Sequence, residues 1–253
     1  MSLKAIVFDL GGTLIEYGGD WDAWPDLEGP GFEAAYHSLR GHGIQLPAFA
    51  SFRDVGFRLL PLRWRGATRG VRNLRLAELI GEVAAECGAD GVLVSQLYQA
   101  GKAYERAIAG QAYLMPHAGE TLEALKQQGY KLGLLSNTMF TGEGHLDDLR
   151  HYGLIDYFDT LLFSADVNKW KPNAAPFLEV LGDLEISEAA TAVYVGDDPA
   201  SDVVGGRSAG MRTVFCVGNG RFPEPDDVIP HAKISSLTEL TPVLNKWQVA
   251  GGK

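Results

Sequence analysis

The chain contains several short apolar runs, and each one ends in a small group of polar or glycine residues. The first run, residues 5–8, leads to Asp9 and then to Gly11 and Gly12. Because the run has no polar alternation, it is typical of a strand covered on both faces in a parallel α/β sheet. Ligands bind beyond the carboxyl ends of such strands. The pattern therefore makes Asp9 a candidate active-site residue, although an Asp before two glycines is also a common turn residue.

A second apolar run, residues 130–135, ends in Ser136, Asn137 and Thr138. Hydroxyl and backbone N–H groups at the tip of a strand can hold an oxyanion without carrying charge themselves. The same residue types are common in turns and at helix N-termini. This motif alone therefore leaves both interpretations open.

A third apolar run, residues 192–195, ends at a glycine followed by Asp197 and Asp198, with Asp202 four residues further on. Carboxylates at the tips of two separate strands can converge on one divalent cation. Mg²⁺ is the hard cation best served by one or two carboxylates together with water and phosphate oxygens. We therefore predict a Mg²⁺ site shared by Asp9 and this segment.

The stretch between the first two runs has a different pattern, with helical periodicity and no persistent strand alternation. Three segments carry apolar residues at helical spacing: residues 32–39, 74–86 and 92–108. We expect the last of these helices to be broken or weakened near Gly101. The pattern predicts a mostly helical domain at residues 18–112, inserted into a core formed by residues 1–17 and 113–253.

Arginines are concentrated in this insert against an acidic background. They are Arg53, Arg58, Arg63, Arg65, Arg69, Arg72 and Arg75. Guanidinium groups bind phosphate or carboxylate in a bidentate manner, so we predict that at least one of them lines the site. Arg65, Arg69 and Arg72 would share a face if the segment is helical. The alternative is a solvated basic surface paired with acids elsewhere.

The overall composition narrows the functional classes. A chain of 253 residues with a net charge of −10 is unsuited to general binding of nucleic acid or of an anionic membrane surface. No apolar stretch approaches the length of a membrane span, and the first residues lead into a strand without a signal-like region. We therefore expect a cytoplasmic protein. Two cysteines are too few for a disulfide framework, and nothing in the sequence sets the oligomeric state.

Four motifs, taken together in this order, resemble those of the haloacid dehalogenase-like hydrolases. They lie at residues 8–14, 134–137, 171–172 and 195–202. The resemblance covers the chain from end to end, with the helical insert in the position of a type 1 cap. It implies a doubly wound, Rossmann-like α/β core, an active site under the cap, Mg²⁺ as cofactor and a small phosphorylated substrate.

The resemblance also implies roles for individual residues. Asp9 matches the nucleophile that forms an aspartyl-phosphate, and Lys171 matches the cation that stabilises the charge on the nucleophile and the phosphoryl group. Asp9, the backbone carbonyl of Gly11 and Asp197 match the Mg²⁺ ligands. The candidate substrate-binding residues are Gly11, Gly12, Thr13, Ser136 and Asn137, and the supporting acids are Asp198 and Asp202.

One position departs from the family pattern. Phosphatases of the family usually carry a second aspartate two residues after the nucleophile, where this chain has Gly11. That acid protonates the leaving alkoxide and then activates the hydrolytic water, so its loss costs about 10²- to 10⁴-fold in rate unless another group replaces it. The candidate replacements in the sequence are Glu16, Asp20, Asp22 and His37.

Three functional classes are compatible with this departure. The preferred class is a Mg²⁺-dependent phosphatase that acts on a small phosphorylated metabolite. The second is a 2-haloacid dehalogenase or a phosphonate-cleaving relative, because members with those activities also lack the second aspartate. The dehalogenases of the family, however, need no metal and usually carry an aromatic residue at the position of Gly11, whereas Asp197 and Asp202 favour a metal. The third is a catalytically weak protein that binds a phosphorylated ligand.

Overall fold

A computed structural model describes residues 2–18, 23–217, 222 and 227–251 of the chain. The strands are β1 (Ala5–Phe8), β2 (Ile15–Glu16), β3 (Tyr113–Leu114), β4 (Lys131–Ser136), β5 (Thr160–Phe163), β6 (Ala192–Gly196), β7 (Arg212–Cys216) and β8 (Ala232–Ile234). The α-helices are α1 (Gly29–Gly41), α2 (Phe49–Thr68), α3 (Leu76–Glu86), α4 (Val94–Ala109), α5 (Ala118–Gln127), α6 (Gly142–His151), α7 (Ser164–Val167), α8 (Ala174–Asp183), α9 (Val204–Ser208) and α10 (Leu240–Gly251).

Six of the strands form one parallel sheet, in the order β5-β4-β1-β6-β7-β8. In this sheet β1 lies between β4 and β6, and Phe8 is in register with Leu134 on one side and Val195 on the other. Since the three strands are parallel and in register, their carboxyl ends meet at the same edge. This topology brings together the residues that follow the three apolar runs.

Both faces of the sheet are covered, as the uninterrupted apolar run of β1 predicts. Ile6 and Phe8 pack in the core cluster that includes Leu122 of α5. Val7 points to the opposite face and packs in the cluster that includes Val180 of α8. The predicted doubly wound α/β core is confirmed.

Helices α1 to α4, which we call the helical unit, have a hydrophobic core of their own. It contains buried side chains from each helix, among them Phe32, Phe52, Leu79 and Tyr104. The antiparallel pair β2 and β3 connects this unit to the parallel sheet, with Ile15 in register with Leu114. The mostly helical character of the insert is therefore confirmed, while the boundaries at residues 18 and 112 stay a prediction.

The helical unit packs on two loops at the carboxyl edge of the sheet. The backbone N–H of Leu76 donates to the carbonyl of Met139 at 2.9 Å. The indole N–H of Trp170 donates to Oδ1 of Asn73, also at 2.9 Å. Met139, Phe140 and Trp170 all belong to the core cluster of the helical unit. The unit is therefore seated directly beside the strand ends.

The structure departs from the sequence-based expectations about local structure at two places. Helix α4 runs through Gly101 without a break, because this glycine lies where α4 packs against α3, with the backbone of Ala77 3.9 Å from the place of a Cβ. Helix α2 includes Pro61 and ends at Thr68, so the face that Arg65, Arg69 and Arg72 would share does not form. A further strand, β8, follows β7 and pairs with it at the edge of the sheet.

In the described part of the chain, no helix is both long enough and apolar enough to cross a bilayer.

Candidate active site

Asp9 lies directly at the end of β1, in a tight turn held by backbone hydrogen bonds. Its own N–H donates to the carbonyl of Val195 at 2.9 Å, which ties it to the neighbouring strand. The N–H groups of Leu14 and Ile15 both donate to the carbonyl of Leu10. Gly12 has a φ of 77°, a conformation that favours glycine. Gly12 therefore has a local structural reason as well as a place in the motif.

Lys171 is the centre of the buried polar network. Its ammonium donates to Oδ1 of Asp9 at 2.6 Å, to Oδ1 of Asp202 at 2.7 Å and to the hydroxyl of Tyr194 at 2.8 Å. The Tyr194 hydroxyl in turn donates to the carbonyl of Leu135 at 2.8 Å. Because an ammonium has three N–H groups, all three are committed and the side chain is fixed in one orientation.

The burial of this network shifts the pKa of its members. Burial raises the pKa of Asp9 to about 6; the charge of Lys171 opposes this rise, and the charge of Asp202 adds to it. Burial alone would lower the pKa of Lys171, but the carboxylates of Asp202 and Asp9 outweigh it and raise this pKa above its ordinary value. Lys171 is therefore a cation at neutral pH. Burial also raises the pKa of Tyr194 well above its usual range, so its hydroxyl stays protonated.

Three carboxylates converge at this point of the molecule. Oxygens of Asp9, Asp197 and Asp202 lie within 4.8 Å of one another, and all three residues are buried. Asp202 can approach β6 because Gly196 has no side chain, since a Cβ there would lie 2.1 Å from Oδ2 of Asp202. Three carboxyl groups stand against the single ammonium of Lys171, a set of oxygen ligands that suits a divalent cation.

Asp198 and Asp202 have different surroundings. Asp198 accepts hydrogen bonds from the backbone N–H groups of Ala200 and Ser201 at 2.9 and 3.2 Å, and so caps the turn after β6. Burial, together with the charge of Asp202, raises the pKa of Asp198. Asp202 accepts from both Lys171 and the N–H of Asp198. Asp198 thus stabilises the turn after β6, and Asp202 helps to fix the side chain of Lys171.

Asn137 is fully engaged by the backbone of Lys171. Its Nδ2 donates to the Lys171 carbonyl at 2.9 Å, and its Oδ1 accepts from the Lys171 N–H at 2.8 Å. The neighbouring peptide, between Lys171 and Pro172, is cis. These two bonds position the lysine; the prediction that Asn137, which also lines the cavity, binds substrate stays a prediction.

A cavity of about 100 Å³ opens beside these groups. It is lined by the predicted residues Asp9, Gly11, Ser136, Asn137, Lys171, Asp197 and Asp198. Trp64, Ser201 and Phe222 complete the described part of its wall and were not singled out from the sequence. The predicted substrate-binding residues Gly12 and Thr13 are not part of this wall: the N–H of Gly12 donates to the carbonyl of Ile15, and Thr13 is completely buried.

The arginines of the helical unit bind acids of the same unit. Arg63 and Arg72 donate to the two oxygens of Glu82, at 2.5 and 2.6 Å, and Arg58 pairs with Glu86. None of the seven arginines is among the described residues that line the cavity at Asp9. The prediction that at least one arginine lines the site is therefore wrong for this cavity. For Arg58, Arg63 and Arg72, the alternative of a basic surface paired with acids applies.

No described candidate fills the place of the missing acid at Gly11. Oε1 of Glu16 accepts the N–H groups of Tyr17 and Gly18, both at 2.9 Å, and this side chain is buried outside the cavity wall. His37 is exposed on α1 near Glu33. Asp20 and Asp22 lie outside the described residues. Within the described part of the site, the carboxylates are those of Asp9, Asp197, Asp198 and Asp202.

Two residues of the site could not be distinguished from core residues in the sequence. Tyr194 stands inside the apolar run of β6, where a tyrosine normally indicates packing. Trp64 lies among arginines and apolar residues of α2 at ordinary helical spacing. Only the tertiary contacts show that Tyr194 binds the ammonium of Lys171 and that Trp64 lines the cavity.

The fold and the site define a hydrolase of the haloacid dehalogenase type, and comparison with known proteins agrees. The chain belongs to the haloacid dehalogenase-like hydrolases, since the model of that family matches residues 3–210. Several of its relatives are named as phosphatases. The ribulose-1,5-bisphosphate 5-phosphatase of Halopiger xanaduensis is 31% identical to it over 213 residues, which are 83% of each chain.

Solved structures of two kinds share this fold. A HAD phosphatase from Thermococcus onnurineus superimposes with a TM-score of 0.67 at 26% identity, over 96% of this chain and 98% of that one. A 2-haloacid dehalogenase from Pseudomonas syringae pv. Tomato DC3000 superimposes with a TM-score of 0.66, also at 26% identity, over 97% of this chain and 99% of that one. The protein is thus a phosphatase-like hydrolase by sequence, in a fold that also serves dehalogenation.

Proposed function

We propose that this protein is a Mg²⁺-dependent phosphatase that hydrolyses a small phosphorylated metabolite through an aspartyl-phosphate on Asp9. The observation that carries the proposal is the buried ammonium of Lys171, which lies 2.6 Å from Oδ1 of Asp9 beside two further carboxylates. Such an arrangement leaves a carboxylate nucleophile charged but screened, as attack on an anionic phosphate requires. Residues 18–112 act as the cap of this site.

The residues present fit a bound Mg²⁺. Asp9, the carbonyl of Gly11 and Asp197 would hold the ion, because all three line the same cavity and offer oxygen ligands. When bound, Mg²⁺ supplies charge neutralisation to the phosphate oxygens. The excess of negative charge around Lys171 gives a further reason for a divalent cation at this place.

The protein's own residues then carry out two displacements at phosphorus. In the first, an oxygen of Asp9 forms a bond to phosphorus while the bond to the leaving oxygen breaks, and the electron pair departs with that oxygen. Lys171 stabilises the charge on Asp9 and the phosphoryl group, and the hydroxyl of Ser136 donates to a phosphoryl oxygen. In the second, water attacks phosphorus and releases phosphate, which regenerates the Asp9 carboxylate.

The absence of an acid at Gly11 restricts the leaving group. Where no carboxylic acid replaces the one missing at Gly11, the departing oxygen must leave as an anion, and only weakly basic leaving groups do so readily. Acyl and aryl phosphates meet this requirement, whereas alkyl phosphates do not. We therefore expect the protein to hydrolyse acyl and aryl phosphates much faster than alkyl phosphates.

The proposal is tested by a panel of phosphorylated metabolites assayed for phosphate release with added Mg²⁺. We expect release from at least one compound, and EDTA should lower the rate by about 10²-fold or more, because the metal supplies several kcal/mol of charge stabilisation. Return of the rate on adding excess Mg²⁺ is the control for damage by EDTA. Hydrolysis that is insensitive to EDTA would contradict the metal assignment. Tight binding of a phosphorylated compound without turnover would instead support a binding protein.

The 2-haloacid dehalogenase is a second candidate because a structure of that activity matches nearly the whole chain. A carboxylate nucleophile at the position of Asp9 also suits displacement of halide from carbon. The cluster of three carboxylates favours the phosphatase, because it gathers more negative charge than Lys171 balances. The same protein should therefore release no halide from 2-chloropropionate in EDTA, and release under these conditions would favour the dehalogenase.

A further inference from the structure

Trp64 is the contribution of the helical unit to the described wall of the cavity at Asp9. It lies near the C-terminal end of α2, and its ring is held by two edge-to-face contacts, at 5.3 Å from the ring of Trp170 and 5.9 Å from the ring of Trp24. Trp170 is itself buried, and its indole N–H donates to Asn73. The indole of Trp64 is therefore a fixed aromatic surface beside the nucleophile.

We propose that the natural substrate is an aryl monophosphate, in which the phosphate is attached to a planar ring without a second charged group, and that the ring packs on Trp64. This inference rests on the proposed phosphatase function and specifies its substrate class. Phe222 adds a second aromatic side chain to the same wall. Aromatic rings favour offset-stacked or edge-to-face contact with one another.

The charges of the cavity argue against a second anionic group on the substrate. Lys171 is the single cationic side chain in the described wall, and its three N–H groups are committed to Asp9, Asp202 and Tyr194. The seven arginines between residues 53 and 75 lie outside this wall, three of them on Glu82 and Glu86. Within the described wall, a second anionic group would therefore meet the carboxylates of the site with no cation besides Lys171 to pair with.

The missing acid at Gly11 is consistent with this class, although it allows acyl phosphates as well. When Asp9 bonds to phosphorus and the phosphorus–oxygen bond of an aryl phosphate breaks, the electron pair leaves with the aryl oxygen. The ring delocalises this charge, and the aryloxide takes its proton from water after departure. An alkoxide has no such stabilisation and requires the absent acid. The electronic demand of the reaction thus allows acyl and aryl leaving groups, and the aromatic wall favours the aryl group between them.

The test compares phenyl phosphate with acetyl phosphate, because both leave without an acid but only the first has a ring. In Trp64→Leu, we expect kcat/KM for phenyl phosphate to fall about three- to tenfold more than kcat/KM for acetyl phosphate. The matched control is Phe57→Leu, which replaces another aromatic residue of α2 that packs in the helical unit and does not line the cavity. This control should keep the ratio of the two values.

The outcomes separate the inference from the function on which it rests. If wild-type protein hydrolyses neither compound with Mg²⁺, the phosphatase function itself fails. If both are hydrolysed and Trp64→Leu keeps the wild-type ratio, the function stands and the role of Trp64 is refuted. Faster hydrolysis of phosphoglycolate than of phenyl phosphate would overturn the substrate class. Acetyl phosphate serves as the internal measure of folded, active protein, so a loss of stability in the variant does not alter the ratio.

Discussion

Replacing Asp9 with Asn is expected to lower kcat for any phosphate ester that the protein hydrolyses by about 10³-fold or more. Asp9 is buried beside the ammonium of Lys171, where it is the carboxylate placed to attack. A neutral carboxamide of nearly the same shape cannot form the acyl-phosphate bond. Phosphate release with Mg²⁺, measured on the variant and on the wild type at equal concentration, checks this expectation.

Two further variants make the result at Asp9 decisive. Asp9→Ala should be equally inactive, and it excludes residual activity that arises from deamidation of the asparagine. Asp147→Asn is the matched control, because it makes the same chemical change on the exposed face of α6, in a pair with Arg150 outside the Asp9 cavity. It should retain wild-type kcat. Any substantial turnover by Asp9→Ala would refute the assignment of the nucleophile.

Replacing Gly11 with Asp is expected to raise the rate on alkyl phosphates by about 10²- to 10⁴-fold. The new carboxylic acid would stand in the cavity wall beside the departing oxygen and would protonate it as the bond breaks. Gly12 has a positive φ, but Gly11 is not among the residues of the described chain with this conformation, so the backbone accepts a side chain there. The relevant measurement is kcat/KM for an alkyl and an acyl phosphate in both proteins.

Gly11→Asn is the control for this gain, since it adds a side chain of the same size without an acid. We expect the alkyl phosphate rate to rise with Asp and not with Asn, and the acyl phosphate rate to change little with Asp. An unchanged rate in Gly11→Asp would show that another group already acts as the acid. Equal wild-type rates on alkyl and acyl phosphates would also show that another group acts as the acid.

The position of the site was predictable because it follows from strand ends. Apolar runs without alternation identified β1, β4 and β6, and in a parallel sheet these strands must end at one edge. Asp9, Ser136 and Asp197 consequently meet around a single cavity. This part of the site depends on periodicity alone, which is a local property of the sequence.

The partners within the site depend on tertiary contacts that have no local signal. Asn137 was singled out from the sequence as a substrate ligand, and nothing in the sequence indicated that its carboxamide also binds the backbone of Lys171. The arginines of α2 suggested an anion site, but Glu82 and Glu86 of α3 lie within reach and pair with three of them. Gly101 suggested a break in α4, yet packing against α3 keeps that helix continuous. In each case a residue distant in sequence decides the outcome.

The central claim is that Asp9 carries the phosphoryl group during turnover, and trapping this intermediate tests it most directly. Because Gly11 provides no base to activate water, the aspartyl-phosphate should be hydrolysed slowly and should accumulate. Protein mixed with acetyl phosphate that carries a radioactive phosphoryl group, in the presence of Mg²⁺, is quenched in acid and digested. We predict label on the peptide that contains Asp9, and none in Asp9→Ala. Turnover without labelled protein, or label that persists in Asp9→Ala, would contradict the account.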